Sequence, residues 1–271
     1  MRKLSKRALS GFIFVSVLVF SILFNKITFN GLFFILMLFC LYEFTKMIQL
    51  KSVFPYLIGT LLFIFGNILN AKDGPYLLFI KISGVLLFLT IFITFASILF
   101  AKKEEVISHL GKIFLSIIYI VVPFTLMVQI PFLNTQYGYV NSIILGVFIL
   151  IWTNDTFAFL IGKNIGKHKL LERISPNKTI EGFIGGLIFT FLASFILANL
   201  FPSLSVIQWT VIAGIVSIFG VLGDLIESMF KRQAGVKDSS NFIPGHGGFL
   251  DRFDSVIFAA PFIFIYLHLV Q

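Results

Sequence analysis

Long runs of apolar residues, separated by short polar connections, occupy almost the whole chain. Nine of them approach the ~20 residues that an α-helix needs to cross a hydrocarbon core. They are Ala8–Phe24, Ile27–Ile48, Val53–Asn70, Tyr76–Phe100, Ile113–Leu133, Tyr139–Ile161, Ile180–Phe201, Val206–Phe230 and Ser255–Val270. Within each run the apolar residues are continuous rather than alternating, which excludes the two-residue period of a membrane β-barrel. The pattern predicts an all-α fold, a polytopic membrane bundle of about nine transmembrane helices. The opening stretch has the basic-then-apolar layout of a signal peptide. No small-x-small cleavage site follows it, so it reads as a first span that is kept.

Composition sharpens this picture. The 271 residues are 58% hydrophobic and 12% charged, with a mean hydropathy of +1.01, whereas soluble domains carry roughly 25% charged residues. Too little polar surface exists to cover a soluble core, and the bilayer is the natural solvent. A formal net charge of +9 suits contact with anionic headgroups or the handling of phosphates. No aromatic-basic module of the nucleic-acid-binding kinds occurs, so no nucleic acid is expected as a partner. Cys40 is the single cysteine, which excludes an intrachain disulfide and a cysteine-based metal site.

Charge also orients the bundle. With nine spans, 18 of the 21 cations fall at the N-terminus and on the even-numbered connections, and only Lys26, Lys72 and Lys81 lie elsewhere. The positive-inside rule then places the N-terminus in the cytoplasm. No soluble domain interrupts the spans. The chain reads as one integral-membrane domain over residues 1–271, with N-terminal spans in 8–133 and the chemistry in 139–271. The longest polar connections, about Gly162–Thr179 and Lys231–Asp254, both fall on the cytoplasmic side.

Three groups of residues carry candidate chemistry. Asp224, Glu227, Ser228 and Lys231 are spaced i, i+3, i+4 and i+7 and share one helix face. An aspartate in an apolar helix costs about 2.5–3.5 kcal/mol on insertion scales, so Asp224 is expected to face a protein interior, a partner or a metal; a plain Asp–Lys or Asp–Arg pair is the structural alternative. The second group is Gly245-His246-Gly247-Gly248 followed by Asp251, Arg252 and Asp254. Its glycines let the backbone approach a ligand, and His246 can donate to a phosphate. Capping by acidic groups at a helix start accounts for at least one of the aspartates. The third group is Asn154-Asp155 with Ser175-Pro176-Asn177-Lys178-Thr179-Ile180-Glu181-Gly182, read as a turn, a helix start and an apolar run. A helix N-terminus beside Lys178 is a ready anion site, with capping by Asn177 or Thr179 as the plainer account. Gly182 and Gly186 have GxxxG spacing, which points to close helix packing, while Gly162 and Gly166 read as loop. Glu43 is an acid inside a span, and a local pair with Lys46 or an interfacial place is expected for it.

The run from Ser228 to Asp254 carries Phe230-Lys231-Arg232, Lys237-Asp238, Ser240, Ile243-Pro244, His246-Gly247-Gly248-Phe249 and Asp251-Arg252-Phe253-Asp254. It resembles the signature of the phosphatidate cytidylyltransferases, also called CDP-diacylglycerol synthases. Asn154-Asp155 and the segment from Ser175 to Gly182 are similar to conserved upstream pieces of that family; Ile180 stands where many members have an aromatic residue. The resemblance implies that CTP and phosphatidate give CDP-diacylglycerol and pyrophosphate. It further implies Mg²⁺, with room for a second cation, held by Asp224 and Asp251. Lys231, Arg232, Lys237, Asp238, His246, Arg252 and Asp254 are then expected to belong to the catalytic group. Asn154, Asp155, Ser175, Lys178, Thr179, Glu181, Glu227, Ser228, Gly247 and Gly248 are expected to bind substrate. A homodimer among membrane lipids is implied as well; a bacterial plasma membrane is the expected location, with the site toward the cytoplasm by the cation bias. Another membrane lipid-phosphate transferase, using a different nucleotide, is the rival enzyme, and a transporter is the rival from a different class, though no internal repeat is visible and the polar groups gather toward one face.

Overall fold

The computed structural model describes residues 2–69, 76–100, 106–133, 138–243, 245 and 247–270. Ten α-helices follow one another among them: α1 Arg2–Phe24, α2 Lys26–Met47, α3 Phe54–Leu69, α4 Tyr76–Phe100, α5 Val106–Ser116, α6 Val122–Met127, α7 Asn141–Ile165, α8 Ile180–Leu200, α9 Val206–Gln233 and α10 Leu250–Val270. The fold is an α-helical membrane bundle. Among the described residues, six helical stretches are long and apolar enough to cross a membrane: Lys26–Met47, Val106–Phe132, Asn141–Ile165, Ile180–Leu200, Val206–Gln233 and Leu250–Val270. Shorter apolar stretches, Leu9–Phe24, Phe54–Asn67 and Gly84–Thr94, lie in α1, α3 and α4.

Helix boundaries follow local chemistry. Asn25 caps α2 through its side chain and Ser205 caps α9, each in a reciprocal box with the residue three positions on,. Between α5 and α6 the backbone widens into a π-turn over Ile117–Val121, where the Val122 N–H reaches Ile117 O. Pro123, which has no N–H to give to the preceding turn, follows immediately,. Ser175–Thr179, read from sequence as a turn, is instead strand β2. It pairs antiparallel with β1, Lys169–Leu171, in a small hairpin that carries the chain from α7 to α8. The helix start at Ile180 agrees with the sequence pattern, and Thr179 caps it by accepting from Gly182 N–H at 3.1 Å.

The core is aromatic. The Phe253 ring is fully buried and meets Phe33, Phe124 and Phe148 at centroid distances of 6.1, 5.5 and 6.2 Å. Because Phe253 is locked inward, its neighbours Asp251 and Asp254, one turn apart, are turned together toward the other side of α10. Glycines bring helices close at two places that matter for the site. A Cβ on Gly223 would lie 2.5 Å from the Asp254 carbonyl oxygen, so α9 and α10 touch beside Asp224. On α8, a Cβ on Gly182 would lie 2.7 Å from Ala158 O and one on Gly186 2.8 Å from Asn154 Oδ1, the close packing expected from their spacing. Gly162, expected in a loop, lies in the last turns of α7, where it packs under Thr179; only Gly166 ends the helix.

Candidate active site

A cavity of about 650 Å³ opens where α7, the β-hairpin, α8, α9 and α10 meet. Asp155 comes to it from α7, Ser175, Lys178 and Thr179 from β2, Asp224 and Lys231 from α9, and Asp251, Arg252 and Asp254 from α10. Lys163, which the sequence pattern does not single out, also lines it, with Phe159, Phe183 and Leu170 along an apolar side.

Two lysines organise the charge. Lys178 Nζ lies 2.6 Å from Asp224 Oδ2, both partners being partly exposed. Lys231 Nζ lies 2.5 Å from Glu227 Oε2, one turn away on α9, and 2.7 Å from Asp251 Oδ1 on α10. Ser228 donates to Asp224 Oδ1 at 3.3 Å. The shared face predicted for Asp224, Glu227, Ser228 and Lys231 is therefore seen in their mutual contacts, and the Asp–Lys pair that stood as the structural alternative is present, made with a lysine from a different element.

Asp224, Glu227 and Asp254 bring ligand atoms within 4.8 Å of one another. Glu227 is fully buried beside the cavity, with Oε2 ion-paired to Lys231 and Oε1 without a hydrogen-bond partner among the described residues. A buried carboxylate with unfilled lone pairs, next to two more carboxylates, is a donor set that suits a hard divalent cation. Asp251 is held differently: its Oδ2 accepts from the N–H groups of Ser239 at 3.0 Å and Gly248 at 2.8 Å and from Ser239 Oγ at 2.9 Å, leaving Oδ1 to Lys231.

Other residues singled out from sequence lie around the cavity rather than on it. Asn154 is buried in the α7–α8 seam, 3.5 Å from Thr190 Oγ1. Glu181 accepts from the backbone N–H of Lys167 at 3.0 Å and of His168 at 3.2 Å and pairs with the His168 ring at 2.6 Å, clamping the hairpin to the start of α8. Gly247, with φ of +80°, and Gly248 shape the loop behind Asp251. Arg232, Lys237 and Asp238 are exposed and outside the lining. His246 lies outside the described residues.

Glu43 corrects an expectation. It forms no ion pair with Lys46: it is fully buried, and its carboxylate accepts from Ser239 Oγ (2.8 Å), Ser240 Oγ (2.5 Å), Phe249 N–H (3.0 Å) and Leu250 N–H (2.8 Å). Its partners lie about two hundred positions away, which no local spacing rule reaches. The usable signal was its charge inside an otherwise apolar span.

Comparison with known proteins identifies the family. The model of the Cytidylyltransferase family matches residues 5–270. The chain is 36% identical over 278 aligned positions to the phosphatidate cytidylyltransferase of Bacillus subtilis (strain 168), covering 98% of each protein. It is 49% identical over 126 residues to the Staphylococcus saprophyticus protein of that name, and 51% identical over 126 residues to that of Staphylococcus haemolyticus. Those two alignments cover 46% of this chain and 48% of the staphylococcal proteins. The match over nearly the full length shows that the chain belongs to the cytidylyltransferase family.

Proposed function

We propose that the protein transfers the CMP moiety of CTP to phosphatidate, forming CDP-diacylglycerol and pyrophosphate for phospholipid biosynthesis. The observation that carries this reading is the convergence of motif side chains from α7, β2, α9 and α10 on one cavity. Its lining holds Asp155, Asp224, Asp251 and Asp254 together with Lys163, Lys178, Lys231 and Arg252. The shared name of the relatives supports the choice of substrates.

In the reaction, an oxygen of the phosphatidate phosphate bonds to the α-phosphorus of CTP. The bond from that phosphorus to the oxygen leading to the β-phosphorus breaks, and its electron pair leaves with pyrophosphate. The nucleophile is already anionic, so no side chain need deprotonate it. What the protein must supply is alignment and neutralisation of two polyanions.

The formal charges on the lining cancel, so anionic substrates need positive charge brought with them. Asp224, Glu227 and Asp254 fit Mg²⁺, and Asp251 stands on the same rim. When bound, Mg²⁺ adds positive charge at phosphate oxygens and eases the departure of pyrophosphate. Lys178 and Lys231 rest on carboxylates and can exchange them for phosphates without losing a charged partner. In that exchange Lys231 releases Asp251 Oδ1, making the Asp224–Asp251 pair available as ligands too. Arg252 offers a bidentate contact to phosphate, and the exposed Arg232 and Lys237 steer the substrates inward. The apolar side of the cavity includes Phe159, itself 65% exposed, and suits the acyl end of a lipid that enters sideways from the bilayer.

A nine-span arrangement with a cytoplasmic N-terminus, a plasma-membrane location and a homodimer complete the proposal. The one-sided distribution of cations and the bacterial relatives support the first two, and the family resemblance supports the third. The decisive assay uses the purified protein in lipid–detergent micelles with phosphatidate, Mg²⁺ and CTP, ATP, GTP or UTP in turn. CTP-selective formation of pyrophosphate and nucleotide-linked lipid is expected. A well-folded protein that makes product with none of the four would overturn the reading.

A further inference from the structure

Among the described residues, none of α1–α6 lines the cavity, yet a side chain of α2 grips the loop that leads into α10, whose first turns do. Glu43 sits near the end of α2, fully buried, and receives two hydroxyl groups and two backbone N–H groups from Ser239, Ser240, Phe249 and Leu250. Phe249 and Leu250 are the residues at which α10 begins, so α2 caps a helix remote from it in sequence, with a full negative charge at the positive end of the dipole. The four donors bracket the whole glycine-rich loop, since two come from its start and two from its end.

The link continues to the site. The Ser239 hydroxyl lies 2.8 Å from Glu43 Oε2 and 2.9 Å from Asp251 Oδ2, and its single proton can go to only one of them at a time. Ser239 N–H and Gly248 N–H both remain on Asp251. Gly248 is pinned as well, because any Cβ there would collide with Ser239 Oγ and Glu43 Oε2. Asp251 thus shares Ser239 with Glu43, and its other donor, Gly248, directly precedes the Phe249–Leu250 backbone that Glu43 holds, while Asp251 Oδ1 fixes Lys231 Nζ at 2.7 Å.

We infer that Glu43 is a positioning residue for the transfer reaction: through Ser239 and the Phe249–Leu250 backbone it sets where Asp251, and with it Lys231, stands over the cavity. The inference rests on the reaction proposed above. Glu43 touches no substrate. Its removal leaves buried donors without an acceptor, so the loop must move to satisfy them. A displacement of about 1 Å at a reacting group is worth about 10²-fold in rate.

The test compares wild-type, Glu43→Gln, Glu43→Asp and Ser240→Ala proteins, each purified in detergent and checked for a monodisperse elution profile. Kinetics are measured with CTP, phosphatidate and Mg²⁺, and the loop is probed by tryptic cleavage after the exposed Lys237. For folded Glu43→Gln, kcat is expected to fall about 10²-fold while KM for CTP changes by less than about threefold, with faster cleavage at Lys237. Ser240→Ala removes one of the four donors and is expected to show the same split at about tenfold. Wild-type kcat in folded Glu43→Gln, or an unchanged cleavage rate, overturns the inference. If Glu43→Gln does not fold, Ser240→Ala and Glu43→Asp decide: normal kcat and normal cleavage in both overturn it. Inactivity of the wild-type protein with every nucleotide would instead sink the proposed reaction, which keeps the two failures distinct.

Discussion

Asp251 shows how much one side chain here does through its neighbours. Its two oxygens are divided, one for Lys231 and one for three donors of the glycine loop. Asp251→Asn keeps the shape but replaces an acceptor by a donor that must face either Lys231 or the N–H groups. Turnover is expected to fall more than ~10²-fold, since even outer partners of a metal ligand are worth 10–100-fold, while membrane insertion and elution profile stay normal. Activity within threefold of wild type in micelle assays would contradict the role given to Asp251. Lys178 bears on binding. Lys178→Ala removes one charge-assisted contact, worth about 1.5–3 kcal/mol, so KM for CTP or phosphatidate is expected to rise by at least about tenfold with little change in kcat. Unaltered kinetics with a lowered denaturation midpoint would make Lys178 only the structural partner of Asp224.

At the scale of elements, the contact of α9 with α10 decides whether the carboxylates can meet. Gly223 allows it: a Cβ would press on backbone, the carbonyl of Asp254, which has no flexible end to yield. Gly223→Ala is expected to cost about 1–3 kcal/mol from overpacking. It should also lower turnover well beyond what the loss of folded protein explains, because Asp224 and Asp254 are carried apart. Thermal denaturation together with the specific activity of the folded fraction separates the two effects. The β-hairpin plays a similar part on the other wall, since β2 delivers Lys178 and Thr179 while Glu181 ties the hairpin to α8.

For the whole molecule, the proposed sidedness and metal dependence can each be tested directly. An impermeant thiol reagent applied to intact cells is expected to label Lys26→Cys but not Lys169→Cys, which should react only once the membrane is opened. Cys40 is buried and should stay silent in both. The reverse pattern would invert the orientation. Removal of divalent cations by a chelator is expected to abolish turnover and Mg²⁺ to restore it; full activity in excess chelator would remove the metal from the proposal.

Much was legible in the chain alone because its determinants are local. Apolar runs report helices in a bilayer, since every backbone group there must be satisfied within the segment. Three- and four-residue spacing placed Asp224, Glu227, Ser228 and Lys231 on one face, and the dense motif from Ser228 to Asp254 marked the chemistry and the family. Tertiary structure decided which distant groups share a charge. Lys178 meets Asp224 across two elements, Asp254 rather than a nearer acid completes the trio with Asp224 and Glu227, and Glu43 reaches across the chain to hold the loop under Asp251. Sequence periodicity carries the direction of a side chain about its own helix axis, but not the rotation and approach of one helix on another. Those were set by buried Phe253 and by glycines such as Gly223, through close packing that acts between segments far apart in the chain.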